Sequence, residues 1–170
     1  YRDGFIATGQ SHYELRNHTF RYWWRNGVTV FGNTTASPST GIVIDGCTAY
    51  AVGGSAFRIE GQNSGVALLD VSEDGSPRID GVTFTNNTGY WANVPNDFLT
   101  ADTETISLAN GIENLVTSYN TSGTTTLNTT FGDPTTGRSR GYGFDWKIGI
   151  RGITAHGNLS QHHVKFGFYF

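Results

Sequence analysis

The chain has 170 residues, a length suited to one domain, with 36% hydrophobic residues, 23 Gly, one Cys, no Met, a net charge of -3 and a pI near 5.9. That composition is thin for one large globular core, and the slightly acidic balance excludes a general attraction to nucleic acid or acidic lipid. No apolar run approaches the roughly 18 residues of a membrane span, so none is expected, and a lone Cys47 excludes an internal disulfide.

In chain order, residues 1–25 come first and carry Tyr22-Trp23-Trp24, which predicts an entry cap or a lateral segment over the first coil. The chain opens on Tyr1 without a start methionine or signal sequence and reads as a mature or trimmed product. From residue 25 to 170 the pattern is one of coils. A phrase returns at Ile44-Asp45-Gly46-Cys47, Ile79-Asp80-Gly81-Val82, Ile112-Glu113-Asn114-Leu115 and Ile150-Arg151-Gly152-Ile153, at spacings of 35 (44 to 79), 33 (79 to 112) and 38 (112 to 150). Such loose regularity predicts stacked β-coils with loops of unequal length. In this alignment Cys47 shares a position with Val82, Leu115 and Ile153, which predicts a buried apolar thiol. A further coil is expected through Gly65-Val66-Ala67-Leu68-Leu69.

A second strand per coil is read at 56–60, 143–147 and 167–170. Side chains alternate across a strand, so Phe57/Ile59, Phe144/Trp146 and Phe168/Phe170 point inward while Arg58/Glu60 and Asp145/Lys147 point outward. Residues 121–141, rich in Thr, Ser and Gly with Pro134, Arg138 and Arg140, predict the longest loop and lead into the strand bearing Asp145. The expected architecture is all-β: a single solenoid domain over 1–170, with a β-sandwich as the alternative.

The stretch Gly46-Cys47-Thr48-Ala49-Tyr50-Ala51-Val52-Gly53-Gly54-Ser55-Ala56-Phe57-Arg58-Ile59-Glu60 resembles a coil of the right-handed parallel β-helix of polysaccharide-active proteins. From Gly141-Tyr142-Gly143-Phe144 through His156-Gly157-Asn158 to Gly167-Phe168 the chain is similar, more specifically, to family-nine pectate lyases. The resemblance implies a right-handed parallel β-helix, here of about six coils. It also implies cleavage of an acidic, pectate-like polysaccharide with calcium, by a lysine base that follows the Gly-x-Gly-Phe segment. This chain has Asp145 at that place and Lys147 one pleat along the same face.

β-Elimination needs a base that removes the proton alpha to a carboxylate and positive charge to hold the developing enolate. Lys147 and Arg140 are the candidate catalytic residues, and Asp145, Arg138, Arg151 and Tyr142 the candidate substrate contacts. Neighbouring arginines favour a neutral lysine, and a bare carboxylate opposes it. The bland reading of Asp145 and Lys147 is a surface ion pair. Asp97 and Asp102 are the candidate calcium ligands, against a solvated acidic loop. His162-His163 lacks a third ligand at a recognisable spacing, so no zinc or haem site is expected. Tyr22-Trp23-Trp24, Tyr90-Trp91 and Tyr142 offer flat surfaces for sugar rings, or else inner packing. Sequons at Asn17, Asn33, Asn86, Asn120, Asn128 and Asn158 favour a secreted or cell-surface glycoprotein. The competing function is structural: a glycosylated surface or filament protein that self-associates through solenoid ends, since the apolar Phe166-Gly167-Phe168-Tyr169-Phe170 carries no polar cap.

Overall fold

A computed structural model describes residues 3–33, 37–61, 78–92, 104–128, 130, 141–147 and 149–169. Sixteen strands and no helix occur among them. They are β1 (Phe5–Thr8), β2 (Glu14–Arg16), β3 (Thr19–Arg21), β4 (Val28–Phe31), β5 (Ser39–Asp45), β6 (Thr48–Tyr50), β7 (Phe57–Glu60) and β8 (Ile79–Thr85). The second half holds β9 (Thr88–Tyr90), β10 (Glu104–Ala109), β11 (Ile112–Ser118), β12 (Thr121–Ser122), β13 (Tyr142–Lys147), β14 (Thr154–His156), β15 (Leu159–Ser160) and β16 (Phe168–Tyr169).

Every third strand pairs, always in parallel. Sheet A runs β1-β4-β7-β10-β13-β16, sheet B β2-β5-β8-β11-β14 and sheet C β3-β6-β9-β12-β15. This is a right-handed parallel β-helix whose coils each pass through sheets B, C and A in turn. Parallel strands bury one face against the stack's interior, and the pattern of the sequence obeys that demand. On sheet A, Val28, Phe57, Ile106 and Phe144 form one fully buried inward row; Val30, Ile59, Leu108 and Trp146 form the next. On sheet B the inward row is Ile42, Val82 and Leu115, beside Ile44 and Phe84. Fully burying one such side chain contributes about 1.5–3 kcal/mol. The stack contains enough of them to fold without a globular centre.

Sharp corners separate sheets B and C, and each begins with a left-handed residue: Asn17 (φ 55), Gly46 (φ 66), Asn86 (φ 55), Tyr119 (φ 55) and Gly157 (φ 63). A second left-handed column sits early in each sheet-B strand or just before it, at His12, Gly41, Gly81, Asn114 and Gly152. Left-handed backbone is cheap for Gly and tolerable for Asn, which explains most of these identities.

Two expectations are corrected by the register. Residues 1–25 are no cap: β2 and β3 pair with β5 and β6 and complete a coil of their own. The four-fold phrase is also mis-framed at its first copy. Ile79 pairs with Ile112 and Glu113 with Arg151, but Ile79 faces Ser39, while Ile44 faces Phe84. Cys47 therefore does not stack with Val82, Leu115 and Ile153. It is buried, as expected, at the corner position occupied in later coils by Asn87, Asn120 and Asn158.

That corner carries a ladder of amides absent from the sequence reading. Asn87 Oδ1 accepts from the Cys47 N–H (2.9 Å), Asn120 Oδ1 from the Asn87 N–H (2.9 Å) and Asn158 Oδ1 from the Asn120 N–H (3.1 Å). Each Nδ2 donates in turn to a carbonyl of the preceding coil, at Ile44 (2.9 Å), Phe84 (2.8 Å) and Thr117 (2.8 Å). The corner turns the backbone away from its sheets, and the stacked amides satisfy the polar groups that the turn would strand. The expected coil at 65–69 lies outside the described residues. The last coil is the most exposed: Ile153, Leu159, Val164 and Phe166 are 40%, 50%, 48% and 66% accessible. No helix among the described residues is long and apolar enough to cross a membrane.

Candidate functional site

The outward positions of the three sheets differ in one respect. On sheet B they meet solvent, with Glu14 and Thr154 exposed and Val116 at 37%. On sheet A the middle of the outward face is covered. Its first row in register is Ile6, Thr29, Arg58, Ser107, Asp145 and Tyr169, and three inner members are almost wholly buried: Thr29 at 1%, Ser107 at 3% and Asp145 at 1%. The second outward row contains buried Phe31, Glu60 and Ala109, followed by the backbone position of Lys147.

Adjacent strands lie about 4.8 Å apart, so these residues form a continuous polar strip along the axis. At its low end the Asp3 carboxylate accepts from the Asn26 N–H (3.1 Å) and the Thr29 hydroxyl (2.9 Å). Next, Arg58 clasps Glu60 through two parallel bonds, Nε to Oε1 (2.8 Å) and Nη2 to Oε2 (2.9 Å), with its guanidinium 5.5 Å from the Phe31 ring centre. A bidentate pair is the geometry that makes a half-buried charge tolerable. Ser107 and Asp145 follow on β10 and β13. A carboxylate as deep as Asp145 is costly to desolvate unless other groups answer it.

Asp97, Asp102, Arg138 and Arg140 all lie outside the described residues.

Asp145 is buried rather than at the surface, on the same strand β13 as Lys147. Arg151 is not brought to this strip. It is exposed beside Glu113 on sheet B, held by backbone bonds to Ile112 and Asn114. Tyr142 stands at the start of β13 with its ring engaged: Phe166 stacks on it at 6.1 Å, Tyr169 leans on it at 5.1 Å and Lys165 Nζ lies 5.3 Å from its centre. Tyr50 and Tyr90 stack on each other outside sheet C at 4.8 Å, with Trp91 edge-on to Tyr90.

Among the sequons, Asn17, Asn33 and Asn86 are exposed and Asn128 is half-buried. The Asn86 amide donates to Asp45 Oδ1 (2.9 Å), and that bond, before the nearby Arg16, holds the Asp45 carboxyl below its ordinary range. Asn120 is corrected outright: it is fully buried and its Nδ2 is spent inside the ladder, so a glycan there is incompatible with the fold. Asn158 uses its Nδ2 in the same way.

No group of three or more metal-ligating side chains gathers among the described residues. The described part of the strip therefore does not by itself fit a calcium ion, and no step is derived through one. The chain matches no family model, no curated protein and no solved structure.

Proposed function

We propose that this protein is a carbohydrate-active β-helix that works on the outer face of sheet A, cleaving an acidic, pectate-like polysaccharide by β-elimination. The observation that carries the proposal is the buried Asp145 in a polar row, on the strand that also bears Lys147. In this reading neutral Lys147 takes the proton alpha to the uronate carboxylate. The electron pair forms the new carbon–carbon double bond, and the glycosidic oxygen leaves on the other sugar and picks up a proton. Arg140 stabilises the enolate, and Arg138 helps keep Lys147 deprotonated. Asp145 accepts from a sugar hydroxyl and orients the ring. Calcium held by Asp97 and Asp102 belongs to the same proposal and is tested by chelation.

Incubation with polygalacturonate and with alginate, followed by the ultraviolet absorbance of unsaturated ends, is the direct assay. Lys147→Ala is expected to lose at least about a hundredfold in rate, the contribution of a positioned general base. Silence on every uronic polymer, or full activity in that variant, overturns the assignment. Exposed sequons at Asn17 and Asn33 support secretion or surface display as part of this reading.

The apolar edge of the last coil favours a second reading, a structural protein that assembles through coil ends. A native particle of monomer mass across the working concentration range excludes it.

A further inference from the structure

Residues 161–167 connect β15 to β16, and His163 is the one buried residue in that stretch, at 8%. Its Nε2 lies 2.9 Å from the hydroxyl of fully buried Ser122, one coil below. Its Nδ1 is buried and has no hydrogen-bond partner among the described residues. Room for the imidazole comes from Gly123: a Cβ there would press into the Gln161 carbonyl and come within 3.1 Å of Nε2. Beyond this anchor the segment runs beside β13 and becomes the next parallel strand of sheet A. The Gly143 and Phe144 N–H groups donate to the Phe166 and Gly167 carbonyls at 2.9 and 2.8 Å. Phe168 stacks on Phe144 at 5.1 Å and lies 5.6 Å from Trp146, and Tyr169 pairs with Asp145.

We propose that His163 is an acid-sensitive latch that pins residues 161–169 along the edge of β13 while its imidazole is neutral, and on protonation frees that edge and the Asp145 end of the polar strip beside it. A neutral ring satisfies Ser122 with Nε2 and can leave Nδ1 as a bare acceptor. The imidazolium puts a charge and a second N–H in a buried place where Nδ1 meets no partner among the described residues, and the Ser122 backbone offsets only part of that cost. From β12 the ring faces only the neutral Ser122 and Gly123, and Ser160 of β15 is neutral too. On its own segment the titratable groups are His162, whose Nδ1 engages the Thr124 carbonyl at 2.7 Å, and Lys165 over Tyr142. No described carboxylate is close enough to support the charge.

Burial lowers the imidazole pKa from 6.5 to about 4, with hydrogen bonding to the Ser122 backbone partly offsetting the effect and the like charge of His162 adding to it. A histidine lowered in the closed state favours closure above 6.5. It loses that preference as pH falls from 6.5 toward 4, and below 4 the loss is complete. At about pH 5 the closing equilibrium is weakened about thirtyfold.

The latch concerns the same face as the proposed lyase but requires no cleavage, so its test is separate. Amide exchange at Gly143 and Phe144, corrected for intrinsic rates, is compared at about pH 7 and about pH 5 in the intact chain and in His163→Gln. Wild type is expected to lose about twentyfold in protection between these two pH values, and the variant to show no pH-dependent loss. Equal losses in both, or none in wild type, overturn the latch. If His163→Gln does not fold, the wild-type imidazole is titrated by NMR. A midpoint near the unperturbed value overturns the latch, and a lowered midpoint tracked by amide exposure supports it.

Discussion

Asn120 shows how one side chain can hold three coils. It receives bonds from the Asn87 backbone and side chain, and donates to Phe84, Thr117 and Asn158. Asn120→Ala leaves several of these groups buried without partners and is expected to cost about 2–4 kcal/mol in urea unfolding, whereas Asn86→Ala on the exposed rim stays within about 1 kcal/mol. Equal effects would reduce the ladder to decoration. Sequence inspection marked both asparagines alike, as sequons. What separates them is one step around a left-handed corner, which turns Asn86 to solvent and the next residue inward. That step is invisible without knowing where each corner falls. The same blindness displaced Cys47. β5 has a left-handed glycine near each end, Gly41 and Gly46, five residues apart, and the Ile-Asp-Gly match selected the wrong one.

At the scale of strands the sequence was far more legible. Strict alternation in 57–60 and 143–147 identified β7 and β13 and named their inward residues correctly, because large apolar groups every second position leave no other face to bury. Phe144 sits between Trp146 and Phe168 at ring distances of 5.5 and 5.1 Å. Phe144→Ala opens a cavity on the inner side of sheet A and is expected to cost about 3–5 kcal/mol, measured as a shifted urea midpoint with unchanged slope. The first coil escaped notice for a physical reason. Among its strands β1–β3 only Ala7 and Leu15 are buried, too sparse an apolar pattern to mark the coil. The burial of Asp145 was equally hidden, since alternation reports the side of a sheet and says nothing about what lies over it.

For the whole molecule, a stack in which each coil is built on its neighbours has graded stability. Hydrogen exchange is expected to be slowest in β8 and β11, whose inward residues are fully buried, and fastest in β14 and β15, where Thr154–His156 and Leu159 are exposed. Uniform protection across all coils would show a single cooperative unit instead. The amide ladder adds a direction to that gradient. The corner N–H of Cys47 is answered by a side chain 40 residues later, that of Asn87 by one 33 residues later and that of Asn120 by one 38 residues later. Each bend is thus finished by material that a ribosome has not yet delivered when the bend itself emerges. Completion travels toward the C-terminus one turn behind synthesis, and a break after any of these turns undoes the one before it.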